Sequence, residues 1–141
     1  MPKRILIHTD GAAKGNPGPA GIGCIAYKKD GTVLFEHFRY IGETTNNVAE
    51  YRALIEGLTR ALEEKVTDVR VASDSQLLVR QIHGLYRVKQ PHLQKLFDEV
   101  AQLSRRFDHF EINHVPREEN READALANRA IRQQKLAGLD S

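Results

Sequence analysis

Ile5-Leu6-Ile7-His8-Thr9-Asp10 reads as a β-strand that ends on a carboxylate, and Val69-Arg70-Val71-Ala72-Ser73-Asp74 reads the same way. In an open α/β sheet, ligands bind at the carboxyl ends of the strands, so Asp10 and Asp74 stand where a site is expected. Two further acids lie near helix starts. Glu50 falls in the first turns of a periodic helix with Val48, Tyr51, Leu54, Ile55, Leu58, Ala61 and Leu62 at 3/4 spacing, and Thr44-Thr45-Asn46-Asn47 precede it as capping residues. Asp124 follows Asn120 on a last helix (Ala123, Leu126, Ala127, Ala130, Ile131), which comes after the strand-like His109-Phe110-Glu111-Ile112-Asn113-His114-Val115 and the stop at Pro116.

Between these points the chain opens with strands and then alternates. The first strand ends at Asp10, Gly15-Asn16-Pro17-Gly18-Pro19 makes a tight loop, a second strand covers about 22–28, Asp30-Gly31 turns the chain, and a third strand covers about 33–41. A helix over about 47–64 leads to a strand at 69–73, a short helix at 76–83, an irregular stretch through Tyr86 and Lys89, a helix from Pro91 to about Arg106, a fifth strand and the final helix. Strands first as a meander and then as βα units predict a mixed sheet with helices on its faces. One domain is expected over 1–135, with a flexible tail at 136–141.

Composition narrows the class without naming it. A chain of 141 residues, 40% hydrophobic, can bury a core as a single domain. Its apolar runs are too short to span a bilayer, and Met1-Pro2-Lys3-Arg4 leads into a strand instead of a signal-peptide core. The single cysteine, Cys24, excludes an internal disulfide and a cysteine-based zinc site, which fits a cytoplasmic protein. A net charge of +2 permits nucleic acid as a partner without demanding it.

Acids drawn from separate elements have a definite use if they converge. Magnesium prefers oxygen ligands and keeps positions open for water and phosphate, so Asp and Glu without His or Cys suit it. Two such ions can activate a water on one side of a phosphorus and stabilise the departing oxygen on the other. Each acid also has a plain structural reading. Asp10-Gly11 is a turn dipeptide, Asp74-Ser75 a helix cap, Glu50 a capping-box partner of Asn47, and Asp124 a helix-surface charge.

The neighbours decide between these readings. Thr9-Asp10-Gly11-Ala12-Ala13-Lys14-Gly15-Asn16-Pro17-Gly18, Thr44-Thr45-Asn46-Asn47-Val48-Ala49-Glu50, Ser73-Asp74-Ser75-Gln76 and Glu119-Asn120-Arg121-Glu122-Ala123-Asp124-Ala125-Leu126-Ala127 occur in that order. They resemble the type 1 ribonuclease H family from about Ile5 to Ala130. The resemblance implies a ribonuclease H-like α/β fold, a five-stranded mixed sheet ordered 3-2-1-4-5 and flanked by helices. It also implies endonucleolytic hydrolysis of the RNA strand of RNA–DNA hybrids with two Mg2+ or Mn2+ ions, leaving 5′-phosphate and 3′-hydroxyl ends, by a protein expected to be a monomer.

Carried over by motif, Asp10 would bridge both metals, Glu50 and Asp74 would complete the leaving-group site, and Asp124 would hold the ion on the water side. Asn16, Asn47 and Gln76 match positions that touch 2′-hydroxyls in the minor groove, a task suited to amides, which both donate and accept. Thr45 and Asn46 match the neighbourhood that holds the DNA backbone. Two departures from the best-known bacterial members stand out. Where many of those carry a loop His, Val115-Pro116-Arg117-Glu118-Glu119-Asn120 is short and has none. His114 sits on the strand before Pro116, so Arg117 is the better substitute, a guanidinium that stabilises charge without changing protonation state. The long basic protrusion is reduced to Leu85-Tyr86-Arg87-Val88-Lys89-Gln90-Pro91, leaving Tyr86, Arg87 and Lys89 as substrate handles. The alternatives are a nuclease of this fold that also cuts RNA duplexes or RNA–DNA junctions, and a noncatalytic hybrid-binding module.

Overall fold

Alternation along the first strand sorts its side chains onto two faces: Ile5 and Ile7 are buried, while Arg4 and Leu6 are exposed. The computed structural model describes residues 3–139. Its strands are β1 (Arg4–Ala13), β2 (Gly18–Lys28), β3 (Val33–Thr44), β4 (Asp68–Ser73) and β5 (His109–His114). Its helices are α1 (Asn46–Glu63), α2 (Gln76–Ile82), α3 (Pro91–Ser104) and α4 (Arg121–Leu139), with a single 3-10 turn at Arg117–Glu119. The sheet order is β3-β2-β1-β4-β5, as the resemblance implied. β1 to β3 pair antiparallel, whereas β4 runs parallel to both β1 and β5.

One face of the sheet carries the main core. Tyr51, Leu54, Leu58 and Ala61 of α1 pack over Ile5, Ile7, Val69 and Val71, and Leu78, Val79, Leu93 and Val100 of α2 and α3 extend the same layer. Burial of each large aliphatic side chain contributes about 1.5–3 kcal/mol, so this layer supplies most of the driving force. Gly57 lets α1 settle close to β1, since a Cβ there would lie 2.8 Å from Ile7 Cδ1. Thr45 and Ser75 cap α1 and α2 by accepting from the Val48 and Leu78 amides.

α4 covers the opposite face, over β2 and its neighbours. A Cβ at Gly23 would stand 2.5 Å from the Ala123 carbonyl oxygen, and one at Gly21 would stand 2.4 Å from that of Ala127. The helix backbone therefore rests directly on the bare strand. This close approach brings the start of α4 level with the middle of β1.

Several boundaries differ from the sequence expectation: β2 begins at Gly18 and β3 ends at Thr44, each a few residues beyond the expected span, and two further shifts bear on the site and the C-terminal end. β1 does not end at Asp10; it continues to Ala13, with Gly11 opposite Ile22 and Ala13 opposite Ala20, because β2 begins at Gly18. Small residues on both strands hide the alternation there, and the pairing is set by the hairpin and by the helices packed on it. α4 runs on to Leu139 through residues expected as a tail, since Gln133-Gln134-Lys135-Leu136-Ala137 are good helix formers; residues 140 and 141 lie outside the described residues. Among the described residues, no helix is long and apolar enough to cross a membrane.

Candidate functional site

Each acid reaches the site for a local reason. Asp10 lies on β1, on the face that α4 covers, opposite Gly23 of β2. Gly11, next to it, has no room for a side chain: a Cβ would fall 2.2 Å from the Ala49 carbonyl carbon, so the first turn of α1 abuts β1 there. That contact places Glu50, whose Oε1 accepts a 2.7 Å hydrogen bond from the Gly11 amide. The bond also answers the capping-box reading, because the Glu50 carboxylate is engaged across to β1. Asp74 follows the last residue of β4, beside the Ser75 cap of α2.

The outcome is a cluster in which carboxylate oxygens of Asp10, Glu50 and Asp74 all lie within 4.8 Å of one another. Asp124 reaches the same cleft from α4, near enough for its carboxyl to help raise that of Asp10. Asn128, one helical turn on, donates to Asp124 Oδ1 at 3.2 Å and to its carbonyl oxygen at 2.9 Å. All four acids line an open cleft of about 460 Å³ together with Lys14, Asn46, Arg117 and Asn128.

Burial and the surrounding charge leave two of these carboxyls, Asp10 and Glu50, in an unusual state. Asp10 is raised far above the ordinary carboxylate range, first by burial and then by the charges of Glu50 and Asp74 and by its contact with Asp124. Glu50 is raised as well, chiefly by burial, against the opposing pull of the Gly11 amide. A hard divalent cation fits this donor set, which is all oxygen, preorganised by backbone contacts and short of positive charge.

The other sequence candidates fall into distinct places. Asn16 Oδ1 accepts from the Asn46 amide at 3.1 Å, and Asn46 Oδ1 accepts from the Ala13 amide at 2.9 Å, which ties the loop after β1 to the start of α1. The Thr45 hydroxyl serves as the α1 cap, and Asn47 Oδ1 is shielded from solvent without a partner. Gln76 is the exposed first residue of α2. Arg117 lines the cleft, whereas His114, the last residue of β5, is not among its lining residues. Asn120 is fully buried, bonded to His8 and to the Thr9 carbonyl, so it faces the interior and not the cleft. Tyr86 and Arg87 line a second cavity between α2 and α3, and Lys89 lies on the exposed segment beside it.

Sequence reasoning missed three groups. Gly21 and Gly23 seat α4, and their alternation in Gly21-Ile22-Gly23-Cys24 was the available signal. Arg80 donates to Tyr86 Oη at 2.6 Å and lies 5.3 Å from its ring centre, which fixes the tyrosine, and no spacing rule announced it. The His8 bond to Asn120 joins residues 112 apart in sequence.

Comparisons agree with this geometry. A family profile described as reverse transcriptase-like matches residues 8–130. A bifunctional protein of Mycobacterium tuberculosis is 44% identical over 129 residues, covering 91% of this chain and 35% of its own length. The chain thus spans about a third of that curated relative. The crystal structure of a ribonuclease H1 from Halobacterium salinarum superposes with a TM-score of 0.90 at 40% identity, covering 92% of this chain and 98% of that one. A ribonuclease H1 crystallised with an RNA/DNA hybrid superposes at 0.87 with 45% identity, covering 92% and 98%. With the ordered motifs, the sheet order and the four acids in one cleft, the chain belongs to the type 1 ribonuclease H family.

Proposed function

We propose that the chain hydrolyses the RNA strand of RNA–DNA hybrids endonucleolytically, with Mg2+ or Mn2+, leaving 5′-phosphate and 3′-hydroxyl ends. The observation that carries the reading is the convergence of Asp10, Glu50 and Asp74 within 4.8 Å, with Asp124 in the same cleft. Asp10, Glu50 and Asp74 would hold one ion, and Asp10 with Asp124 a second. Ions bound there would activate a water and stabilise the departing oxygen. Asn128 keeps one oxygen of Asp124 occupied and so fixes its orientation. Arg117, on the cleft wall, supplies positive charge for the phosphate without a change of protonation.

Discrimination between RNA and DNA is assigned to Asn16, Asn47 and Gln76, with Thr45 and Asn46 holding the DNA backbone. The carbonyl ends of Asn16 and Asn46 are used locally, so their amide nitrogens are the groups left for a ligand. Asn47 Oδ1 is unpaired but shielded from solvent, so the end of this side chain left for a ligand is its amide nitrogen. A hybrid-bound relative of the same fold supports this class of substrate. The reading is completed by a monomer acting in the cytoplasm, in accord with a buried, unpaired Cys24.

The test is a cleavage panel with Mg2+ or Mn2+ on labelled hybrid, RNA duplex and DNA duplex of one sequence. Cuts confined to the RNA of the hybrid are expected. Equal cutting of the DNA duplex refutes the reading, and equal cutting of the RNA duplex replaces it with a broader ribonuclease.

A further inference from the structure

Among the described residues, no hydrogen bond ties the Asp124 side chain to the sheet; its fixed partner, Asn128, rides on the same helix. Its distance from the other acids therefore depends on where α4 begins. Two contacts set that start. One is the seat of Ala123 and Ala127 on Gly21 and Gly23. The other is Asn120, which is fully buried just before the first residue of α4. The Asn120 carbonyl accepts the Asp124 amide at 3.1 Å, its Nδ2 donates to the Thr9 carbonyl at 2.9 Å, and its Oδ1 lies 3.0 Å from His8 Nδ1.

These partners fix the chemistry of the His8 contact. Because the Asn120 amide nitrogen is spent on Thr9, its oxygen faces the imidazole, and an oxygen can only accept. The proton of that bond belongs to His8 Nδ1, and it stays there whether or not Nε2 is protonated. The ring is held from its other side by Tyr27, whose plane meets it edge-on at 88° with centres 5.9 Å apart. His8 also shares its strand and its face with Asp10, two residues on, so one strand carries both the central carboxylate and the group that locks the helix of its partner.

We propose that His8 is a positioning residue for the metal site: its Nδ1–H holds Asn120, Asn120 holds the first turn of α4, and that turn holds Asp124 against Asp10. The role rests on the hydrolytic metal-dependent reading of the cleft, yet it concerns the ligand set before any substrate binds. It also explains why a polar, buried Asn120 stands at this helix start when its side chain does not reach the cleft.

The test uses two variants of the full chain, with Mn2+ as probe. His8→Phe keeps a ring against Tyr27 and removes the donor, whereas His8→Asn places an amide N–H near the lost Nδ1. Calorimetry should show His8→Phe binding Mn2+ about tenfold more weakly, the scale seen when groups behind a ligand are removed, and His8→Asn recovering most of the loss. Hydrogen exchange at the Asp124 amide should quicken in His8→Phe and return towards wild type in His8→Asn. Hybrid affinity in the absence of divalent metal should stay as wild type in both. Unchanged Mn2+ affinity in His8→Phe, or equal loss in both variants, overturns the proposal, since the first denies the link and the second assigns it to the ring. Wild-type protein that binds Mn2+ but leaves hybrid intact refutes the hydrolytic reading while calorimetry still decides the role of His8. Wild-type protein that binds no Mn2+ overturns both.

Discussion

At the residue scale, the acids of the cleft oppose the fold that carries them. Asp10 is 4% exposed and crowded by three other carboxyls, so without a cation it keeps a proton that the unfolded chain gives up near pH 4. Asp10 and Glu50 then bind more protons in the native state than in the unfolded state, and by linkage their contribution to stability is fullest below about pH 4 and declines as pH rises towards their raised native values. In chelator, urea unfolding at pH 5 and pH 7.5 should give the lower stability at pH 7.5, with saturating Mn2+ removing the deficit. Asp10→Asn should raise metal-free stability at pH 7.5 by on the order of 1–2 kcal/mol, because the amide is neutral in both states and folding no longer has to place a proton on this buried carboxyl. A metal-free protein that grows more stable from pH 5 to pH 7.5 contradicts this account of the site.

Arg117 and His114 separate at the same scale. The arginine lines the cleft and the histidine does not, although both lie near the end of β5. Arg117→Ala should lower kcat by about ten- to a hundredfold with little change in hybrid affinity, the pattern of a group felt mainly in the transition state. His114→Ala should stay within about threefold of wild type. Paired kinetic and binding measurements that return the opposite order would move the role to the strand.

At the element scale, the seat of α4 is the most exacting contact. A Cβ at Gly23 would meet the Ala123 carbonyl oxygen at 2.5 Å and the Ala127 nitrogen at 2.6 Å, and backbone cannot swing aside as a side chain can. Gly23→Ala should push the helix outward, costing about 1–3 kcal/mol in denaturant unfolding. It should also raise the Mn2+ concentration at half-maximal cleavage, because Asp124 travels with the helix. A variant with an unchanged metal requirement would show that the start of α4 is held by other contacts.

This is also the scale at which sequence reading succeeds and stops. That Asp10, Glu50, Asp74 and Asp124 belong together was legible because each lies in one of four ordered motifs that resemble the type 1 ribonuclease H family; alternation and 3/4 spacing alone left each acid a plain structural reading. The extension of β1 to Ala13 was not, because Gly11-Ala12-Ala13 and Ala20-Gly21 carry no hydrophobic period and owe their pairing to the packing around them. The bond between His8 and Asn120 was likewise invisible, since it forms only after the sheet and α4 have met. Arg117 could be ranked above His114 from the proline between them, but its place on the cleft wall depends on the 3-10 turn that Asn120 closes by donating to its carbonyl.

At the scale of the whole molecule, the short segment between α2 and α3 would bear on how the proposed hybrid substrate is held. Arg87 and Lys89 lie on an exposed segment between α2 and α3, next to a tyrosine that Arg80 holds in place. Each phosphate contact contributes about 0.9 to the slope of log affinity against log salt on a B-form duplex, and the candidates for such contacts are Lys14, Arg87, Lys89 and Arg117. A shallow slope is expected for the wild type, and Arg87→Ala with Lys89→Ala should flatten it by about two contacts' worth while leaving the cut sites in place. If the double variant binds as wild type across the titration, affinity comes from the loop that carries Lys14 on the cleft wall instead.

The central claim is that four acids from four elements make one metal-dependent site for cutting RNA paired to DNA. The most direct measurement is the initial rate of cleavage of a labelled hybrid with Mg2+ by wild type, Asp10→Asn and Asp74→Asn, all shown to be folded, with product ends mapped. Wild type should cut within the RNA strand to leave 5′-phosphate and 3′-hydroxyl ends, and each variant should lose at least about a thousandfold in rate, as expected when a metal ligand is removed from a site that works as a unit. An intact hybrid with wild-type protein, or wild-type turnover by either variant, contradicts the claim.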